Sequence, residues 1–299
     1  MHLNDEKPQL TILQVSDLHF GPPLVPEVAE EALRSAHDLA PDAIVVSGDL
    51  TQRARREQFV AAKEFLNRLP HVPTLVIPGN HDVPLYRVFQ RLTNPHGLYK
   101  EIISDNLNPI LRLDSAVIVG LDSTAPRTAI SNGRISPQQL KYCERSFAHA
   151  TEGQTRIVVA HHHFAPAPDY LHDWTMPKSK RAIMRFVELK VDLILGGHLH
   201  RAYIGNSLDF YPGSHRERGI IIAQSGTTTS RRGRGREQEK NTFNLIKIFA
   251  NTIEITHHLY FDNRHGFIPT SRHTFRRGQR ALGNGEPDSL GAAIATAKK

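Results

Sequence analysis

The sequence predicts an α/β fold, on three observations. Short apolar runs alternate with amphipathic helical patterns over the first two-thirds of the chain. Polar clusters rich in Asp, Asn and His follow those apolar runs directly, where open α/β sheets carry their ligand-binding loops. The 299 residues suffice for one large body with a substantial core, and no stretch in the middle has the composition of an interdomain linker.

The elements follow in order. Leu10–Val15 reads as a buried strand, and Pro26 to Leu39 as a crossover helix, with Val28, Ala29, Ala32, Leu33, Ala36 and Leu39 on one face and Pro26 suited to its first turn. Ala43–Ser47 is the next strand. A second helix runs from about Glu57 to Leu69 through Phe59, Ala62 and Leu66, followed by a strand at Thr74–Ile77. Ala116–Leu121 is a strand, and Ser136-Pro137 announces a helix as cap and first residue, before Leu140 and Phe147. Strands at Ile157–Ala160 and Leu193–Leu195 flank a helix around Ser179 to Leu189. Beyond residue 200 only strands are legible: Gly219–Ala223, then Phe243–Phe249 and Thr252–His258, which Ala250-Asn251 joins as a hairpin. Residues 1–277 are read as one domain, and 278–299, rich in Gly, Ala and small polar residues, as a disordered tail.

Composition narrows the chemistry. The chain is 39% hydrophobic and 22% charged, with no apolar run approaching the roughly 18 residues of a spanning helix. The start, Met1 to Gln9, is polar and lacks the charged-then-apolar layout of a secretory signal, so a cytoplasmic location is expected. One cysteine, Cys143, excludes an internal disulfide and any cysteine-based zinc or iron–sulfur site. A net charge of +7 favours anionic partners such as phosphate esters, nucleic acid or acidic lipid.

Five clusters carry the chemistry: Ser16-Asp17-Leu18-His19, Gly48-Asp49-Leu50-Thr51, Gly79-Asn80-His81-Asp82, His161-His162-His163 and Gly196-Gly197-His198-Leu199-His200. Each alone is an ordinary turn, whereas five in succession at strand ends point to a shared metal centre. Two divalent ions roughly 3.5–4 Å apart need about seven donors, with a carboxylate between them to offset their repulsion. Asp17, His19, Asp49, Asn80, one of the histidine triplet, His198 and His200 supply them. Carboxylate, imidazole and amide oxygen without thiolate suit iron, manganese or zinc better than magnesium.

The order and wording of these clusters resemble the calcineurin-like metallophosphoesterases, from about Leu10 to His200. Ser47-Gly48-Asp49-Leu50-Thr51, Leu121-Asp122-Ser123-Thr124 and Gly133-Arg134-Ile135-Ser136-Pro137-Gln138-Gln139-Leu140 are similar to the class III cyclic-nucleotide phosphodiesterase branch. The resemblance implies a four-layered α/β/β/α sandwich with two divalent ions, Fe/Mn or Mn/Mn, or zinc. It implies Asp17, His19 and His200 on one ion, Asn80 and His198 on the other, and Asp49 between them. Aligning the strand end makes His161 the further ligand, with His162 the fallback, although His162-His163-Phe164 departs from the prolines common in relatives. Gln52 stands where many relatives carry an acidic residue.

The implied activity is phosphoester hydrolysis by a water shared between two metals, most readily of a cyclic nucleotide or another small phosphodiester. A nucleotide-sugar or lipid pyrophosphate is the alternative substrate. His81 is expected to face the phosphoryl group, with Asp82 orienting it. Arg231, Arg232 and Arg234, in an arginine run, are candidates for gripping a second anionic group. Specificity loops are expected at Pro22–Pro26, Pro166–Pro177 and Ile204–Gly213, with Asp169, His172, Asp173 and Trp174 as candidate cap residues. A nucleic-acid- or anion-binding protein without enzymatic activity, or one touching an anionic membrane, is the reading of a different class. The sequence is silent on oligomeric state.

Overall fold

A computed structural model describes residues 7–128, 131–166, 174–211, 219–233, 238, 240–264 and 266–277. The expected tail at 278–299, Arg234, and Asp169, His172 and Asp173 lie outside the described residues.

Strands β1 (Leu10–Val15), β2 (Ala43–Val46) and β3 (Thr74–Val76) run parallel, linked by α1 (Pro26–Leu39) and α2 (Arg56–Arg68). β4 (Ile110–Arg112) and β5 (Ala116–Leu121) follow two short helices, α3 (Val88–Thr93) and α4 (Gly97–Ile102). The chain continues through α5 (Pro137–Phe147), β6 (Thr155–Ala160), α6 (Ser179–Glu188), β7 (Leu193–Gly196), β8 (Tyr203–Asn206), α7 (Ser207–Phe210) and β9 (Ile221–Gln224). β10 (Thr242–Ile248), β11 (Thr252–Phe261) and β12 (Gly266–Arg276) complete it. The strands form two six-stranded sheets, ordered β12-β11-β10-β1-β2-β3 and β4-β5-β6-β7-β9-β8.

The sheets face each other across an aliphatic layer in which Ile12, Val45, Leu75 and Ile246 of one meet Ile118, Ile157, Leu195 and Ala223 of the other. Leu13, Val15, Ile44 and Val46 point the opposite way, as the two-residue period of a strand requires, onto Ala32, Leu33, Phe59 and Phe65 of α1 and α2. The outer face of the second sheet likewise packs Val117, Val119 and Val158 on Leu140, Cys143, Ile183 and Phe186 of α5 and α6. The layers are therefore α/β/β/α. Helix starts are set locally. Ser136 Oγ accepts the Gln139 N–H at 3.2 Å while Gln139 Oε1 accepts the Ser136 N–H at 2.9 Å, and Pro137 fills the first helical position.

The hairpin expected at Ala250-Asn251 is present, with Ile248 opposite Ile253. Two departures stand out. β12 pairs with β11 along its whole length at the sheet edge, a strand not read from the sequence. The expected loop Ile204–Gly213 opens instead as edge strand β8, which pairs with β9, and the single-turn helix α7; residues 212–213 lie outside the description.

Candidate metal centre

Parallel strands deliver all five clusters to one edge of the sandwich: β1 leads to Asp17 and His19, β2 to Asp49, β3 to Asn80, β6 to His161, and β7 to His198 and His200. The backbone then turns abruptly. Asp17, His19, Asp49, His198 and His200 have φ of 52°, 49°, 52°, 74° and 52°, a left-handed conformation that costs each non-glycine residue on the order of 1 kcal/mol. Such strain persists only where surrounding structure over-determines it. Gly48, with φ at 101°, makes close approach possible, since a Cβ there would lie 2.6 Å from His161 Nδ1.

Two donor groups form and share one carboxylate. In the first, His200 Nε2 lies 3.2 Å from Asp17 Oδ1 and 3.0 Å from His19 Nε2, and His19 Nε2 lies 3.7 Å from Asp49 Oδ2. One ligand atom each from Asp17, His19, Asp49 and His200 falls within 4.8 Å of the others. In the second, Asn80 Oδ1 lies 2.9 Å from His198 Nδ1 and 3.2 Å from His161 Nε2, which itself is 3.3 Å from Asp49 Oδ2. The same Asp49 oxygen thus faces both groups.

The outward atoms of Asp17, Asp49 and His161 are already committed, which aims their remaining ones inward. Asp17 Oδ2 accepts the Ser16 hydroxyl at 2.6 Å and the His198 N–H at 3.0 Å, leaving Oδ1 toward the histidines. Asp49 Oδ1 accepts the His81 N–H at 2.8 Å, whereas Oδ2 is buried with no hydrogen-bond partner. His161 Nδ1 donates to the Ser47 carbonyl at 2.9 Å, so Nε2 faces Asn80 and Asp49. Imidazole nitrogens packed against one another and against carboxylate and amide oxygens, with an orphaned carboxylate oxygen between them, form a donor set that divalent cations satisfy. The residues present fit two such ions.

Charge follows this packing. Burial works to raise Asp49, but His161, His81 and His19 outweigh it and hold the carboxyl well below its usual range. Asp17 is likewise lowered, burial being overcome by His19 and His200. Burial pushes His19 down to about 4, while Asp49 and Asp17 outweigh burial at His161 and raise it to about 9. His162 is lowered, by burial and then by His198 and His161. Its Nδ1 lies 2.8 Å from the Ser123 hydroxyl, its Nε2 is buried without a hydrogen-bond partner, and its ring packs against His161 and His198 with centroids 5.1 and 4.7 Å away.

His81 stands against His19, ring centroids 4.8 Å apart at 86°. The orientation expected from Asp82 comes instead from Gln52, whose carbonyl accepts from His81 Nδ1 at 2.9 Å. Asp82 lies in a single 3-10 turn, Asn80–Asp82, which carries its carboxylate back into the backbone; there it accepts the N–H groups of Leu50, Thr51 and Gly79 and the Thr51 hydroxyl. Burial and the neighbouring Asp49 push it up to about 7 against those donors. It braces the Asp49 loop against the Asn80 turn. Gln52 also accepts from the half-buried Arg232 guanidinium through Oε1 at 2.8 Å, so one residue holds His81 by its carbonyl and Arg232 by its side chain. Arg231 does not share this position: its side chain is exposed and its N–H donates to the Pro23 carbonyl.

Sequence reading also missed a clasp. Thr227, Thr228, Thr229 and Ser230 are fully buried. The Thr227 hydroxyl donates to the Asp17 carbonyl at 2.7 Å, that of Thr229 to the Leu18 carbonyl at 2.6 Å, and Thr228 Oγ1 accepts the Ser16 N–H at 3.1 Å. The run of four consecutive hydroxyl residues just beyond a strand, after Ser225-Gly226, was the signal available.

Comparison with known proteins gives the family and the fold. The family model for calcineurin-like phosphoesterases matches residues 10–202, the stretch that carries every cluster. Glycerophosphodiester phosphodiesterase GpdQ of Enterobacter lignolyticus is 50% identical over 42 residues, which are 14% of this chain and 15% of that protein. Purple acid phosphatase PPD1 of yellow lupin (Lupinus luteus) superposes with a TM-score of 0.65 at 14% identity, over 90% of this chain and 54% of that one. A dimetal phosphatase from Danio rerio gives a TM-score of 0.62 at 12% identity, over 91% and 100%. With its five strand-end clusters gathered around one shared carboxylate and nearly two-thirds of its length matched by one family, the chain belongs to the calcineurin-like phosphoesterases.

Proposed function

We propose that the protein is a dinuclear metal-dependent phosphodiesterase acting on a small phosphodiester, a cyclic nucleotide or a glycerophosphodiester among them. The observation that carries this reading is Asp49 Oδ2, buried, without a hydrogen bond, and facing His19 on one side and His161 on the other. Asp17, His19 and His200 would hold one ion, Asn80, His161 and His198 the second, and Asp49 both. Donors of this mixture suit iron with manganese, two manganese ions, or zinc. When bound, two such ions supply charge against the phosphoryl oxygens and a water acidic enough to attack phosphorus at neutral pH.

The chain's own residues do the rest. His81 Nδ1–H donates to the Gln52 carbonyl and leaves Nε2 toward the phosphoryl group, where the ring in its imidazolium form would donate a hydrogen bond to a developing charge or give its Nε2 proton to the leaving oxygen. Arg232, tethered by Gln52, grips a nonbridging oxygen. The short match to a glycerophosphodiester phosphodiesterase supports the diester preference.

The test is manganese-dependent hydrolysis of bis(p-nitrophenyl) phosphate against p-nitrophenyl phosphate, by the wild type and Asp49→Ala side by side. Diester turnover that vanishes in the variant together with bound metal is the expected result. Turnover of the monoester alone refutes the diester reading, and turnover that survives loss of metal refutes the metal centre.

A further inference from the structure

The rim of the site carries a surface that hydrolysis of a small diester does not require. From Val83 to Lys100 the chain contains Arg87, Arg91 and Lys100 and no acidic residue. Within it, Leu85, Tyr86, Val88, Phe89 and Leu92 are all exposed, Tyr86 at 73% and Phe89 at 82%. None of the residues of α3 is buried, so this helix contributes nothing to the core and turns Val88, Phe89 and Leu92 to solvent.

The segment is nevertheless held in place. Val83 is buried, Arg53 Nη1 donates to the Tyr86 hydroxyl at 3.2 Å, and the Arg53 guanidinium lies 5.0 Å from that ring's centre. Arg87 donates to the Ala54 carbonyl, Arg91 to that of Leu85, and Arg127 to that of Leu92. These contacts fix α3 over the loops that follow β2 and β5, at the same edge as the metal-ligand clusters. They are all to neutral oxygens: among the described residues, Arg53, Arg87, Arg91 and Arg127 form no ion pair. Among the described residues, these four charges therefore have no ion-pair partner and stand beside five exposed apolar side chains.

We infer that this rim docks on an anionic lipid surface, with Tyr86, Phe89 and Leu92 entering the headgroup boundary and the arginines facing acidic headgroups. Aromatic and branched aliphatic side chains interleaved with arginine are what such an interface binds, and the net charge of +7 adds long-range attraction. A second copy is a poor occupant of the same face, because two copies would oppose arginine to arginine with no acidic residue of the Val83–Lys100 segment between them. The inference goes beyond the proposed activity and does not depend on it.

The test uses the full chain with sedimenting vesicles of phosphatidylcholine alone or with about one-third phosphatidylglycerol, at about 0.1 M and 0.5 M salt. Binding is expected to the anionic vesicles, weakened by salt, and at least roughly tenfold weaker for the double variant Phe89→Ser/Leu92→Ser. Both positions are exposed, so that variant keeps its circular dichroism spectrum. In a Phe89→Trp/Trp174→Phe variant, emission shifts to the blue with anionic vesicles and stays unchanged with neutral ones. Asp49→Ala binds vesicles as the wild type does, which separates docking from catalysis. Failure to sediment with anionic vesicles overturns the inference. So does binding that Phe89→Ser/Leu92→Ser leaves intact with no blue shift, since charge alone then explains it. A dimer in sedimentation velocity that dissolves in the serine variant also overturns it, assigning the surface to a second copy.

Discussion

The threonine clasp should control metal binding through the backbone of Asp17 and His19, without touching a ligand side chain. Thr227→Val and Thr229→Val keep volume and branching while removing the hydroxyls that donate to the Asp17 and Leu18 carbonyls. Since Thr227 gives its proton to Asp17, Ser230, 2.6 Å away, must donate to Thr227, and the first substitution strands that hydroxyl as well. Each variant leaves a buried carbonyl unpaired, at a cost of about 1–3 kcal/mol. The double variant should therefore lose about 3 kcal/mol, a large share of ordinary domain stability but short of unfolding. Released, Asp17 and His19 can relax from φ of 52° and 49°, each escaping on the order of 1 kcal/mol of strain. Relaxation of about 2 kcal/mol has to be reversed on metal binding, so manganese affinity should fall more than tenfold. Urea unfolding with and without chelator measures the first quantity, and manganese titration of the folded protein the second. A double variant that loses stability yet binds manganese as tightly as the wild type would refute the argument, leaving the hydroxyls a purely structural role.

Three further outcomes follow from the same structure. His257, whose Nδ1 lies 2.5 Å from Asn244 Oδ1, is pushed down to about 4 by burial and by His273 and His258. Its folded value lies below the unfolded 6.5, so the unfolded chain takes up the proton first and stability is lost as pH falls from 6.5 toward 4. Allowing for the ring's partial exposure, the loss is about 2 kcal/mol, and urea midpoints for His257→Gln should fall less steeply with acid than those of the wild type. Burial raises Cys143 to about 12, so a thiol reagent at pH 8 should label it only at the rate of unfolding; labelling of the native protein within minutes would contradict its place between α5 and the second sheet. Gly48→Ala drives a methyl group against the His161 ring from a backbone at φ 101° and should lower bound manganese from two equivalents to one, as elemental analysis reads directly.

Legibility in the sequence tracked how local each cause is. β1, α1 and β5 have the boundaries their periodicity predicts, because each is a buried strand or one-faced helix whose pattern lies within its own residues. β12 went unread because, as an edge strand, it buries little, and Pro269 sits in its middle where the register with β11 shifts at His257–His258. Asp82 was misread for the opposite reason. Adjacency to His81 suggested a partner, whereas one 3-10 turn sends the carboxylate to the amides of Leu50 and Thr51. The ligand clusters were legible because each is short, polar and placed directly after a strand. What arranges them was not: the Thr227 bond to Asp17 spans 210 positions, and His200 meets His19 across 181. Such bonds exist only once β9 and β7 have joined β6 in the second sheet and that sheet has closed on the first. The left-handed turns at Asp17, His19, Asp49, His198 and His200 are consequently held by the whole sandwich, and a strained site of this kind is a sensitive reporter of damage anywhere between the two sheets.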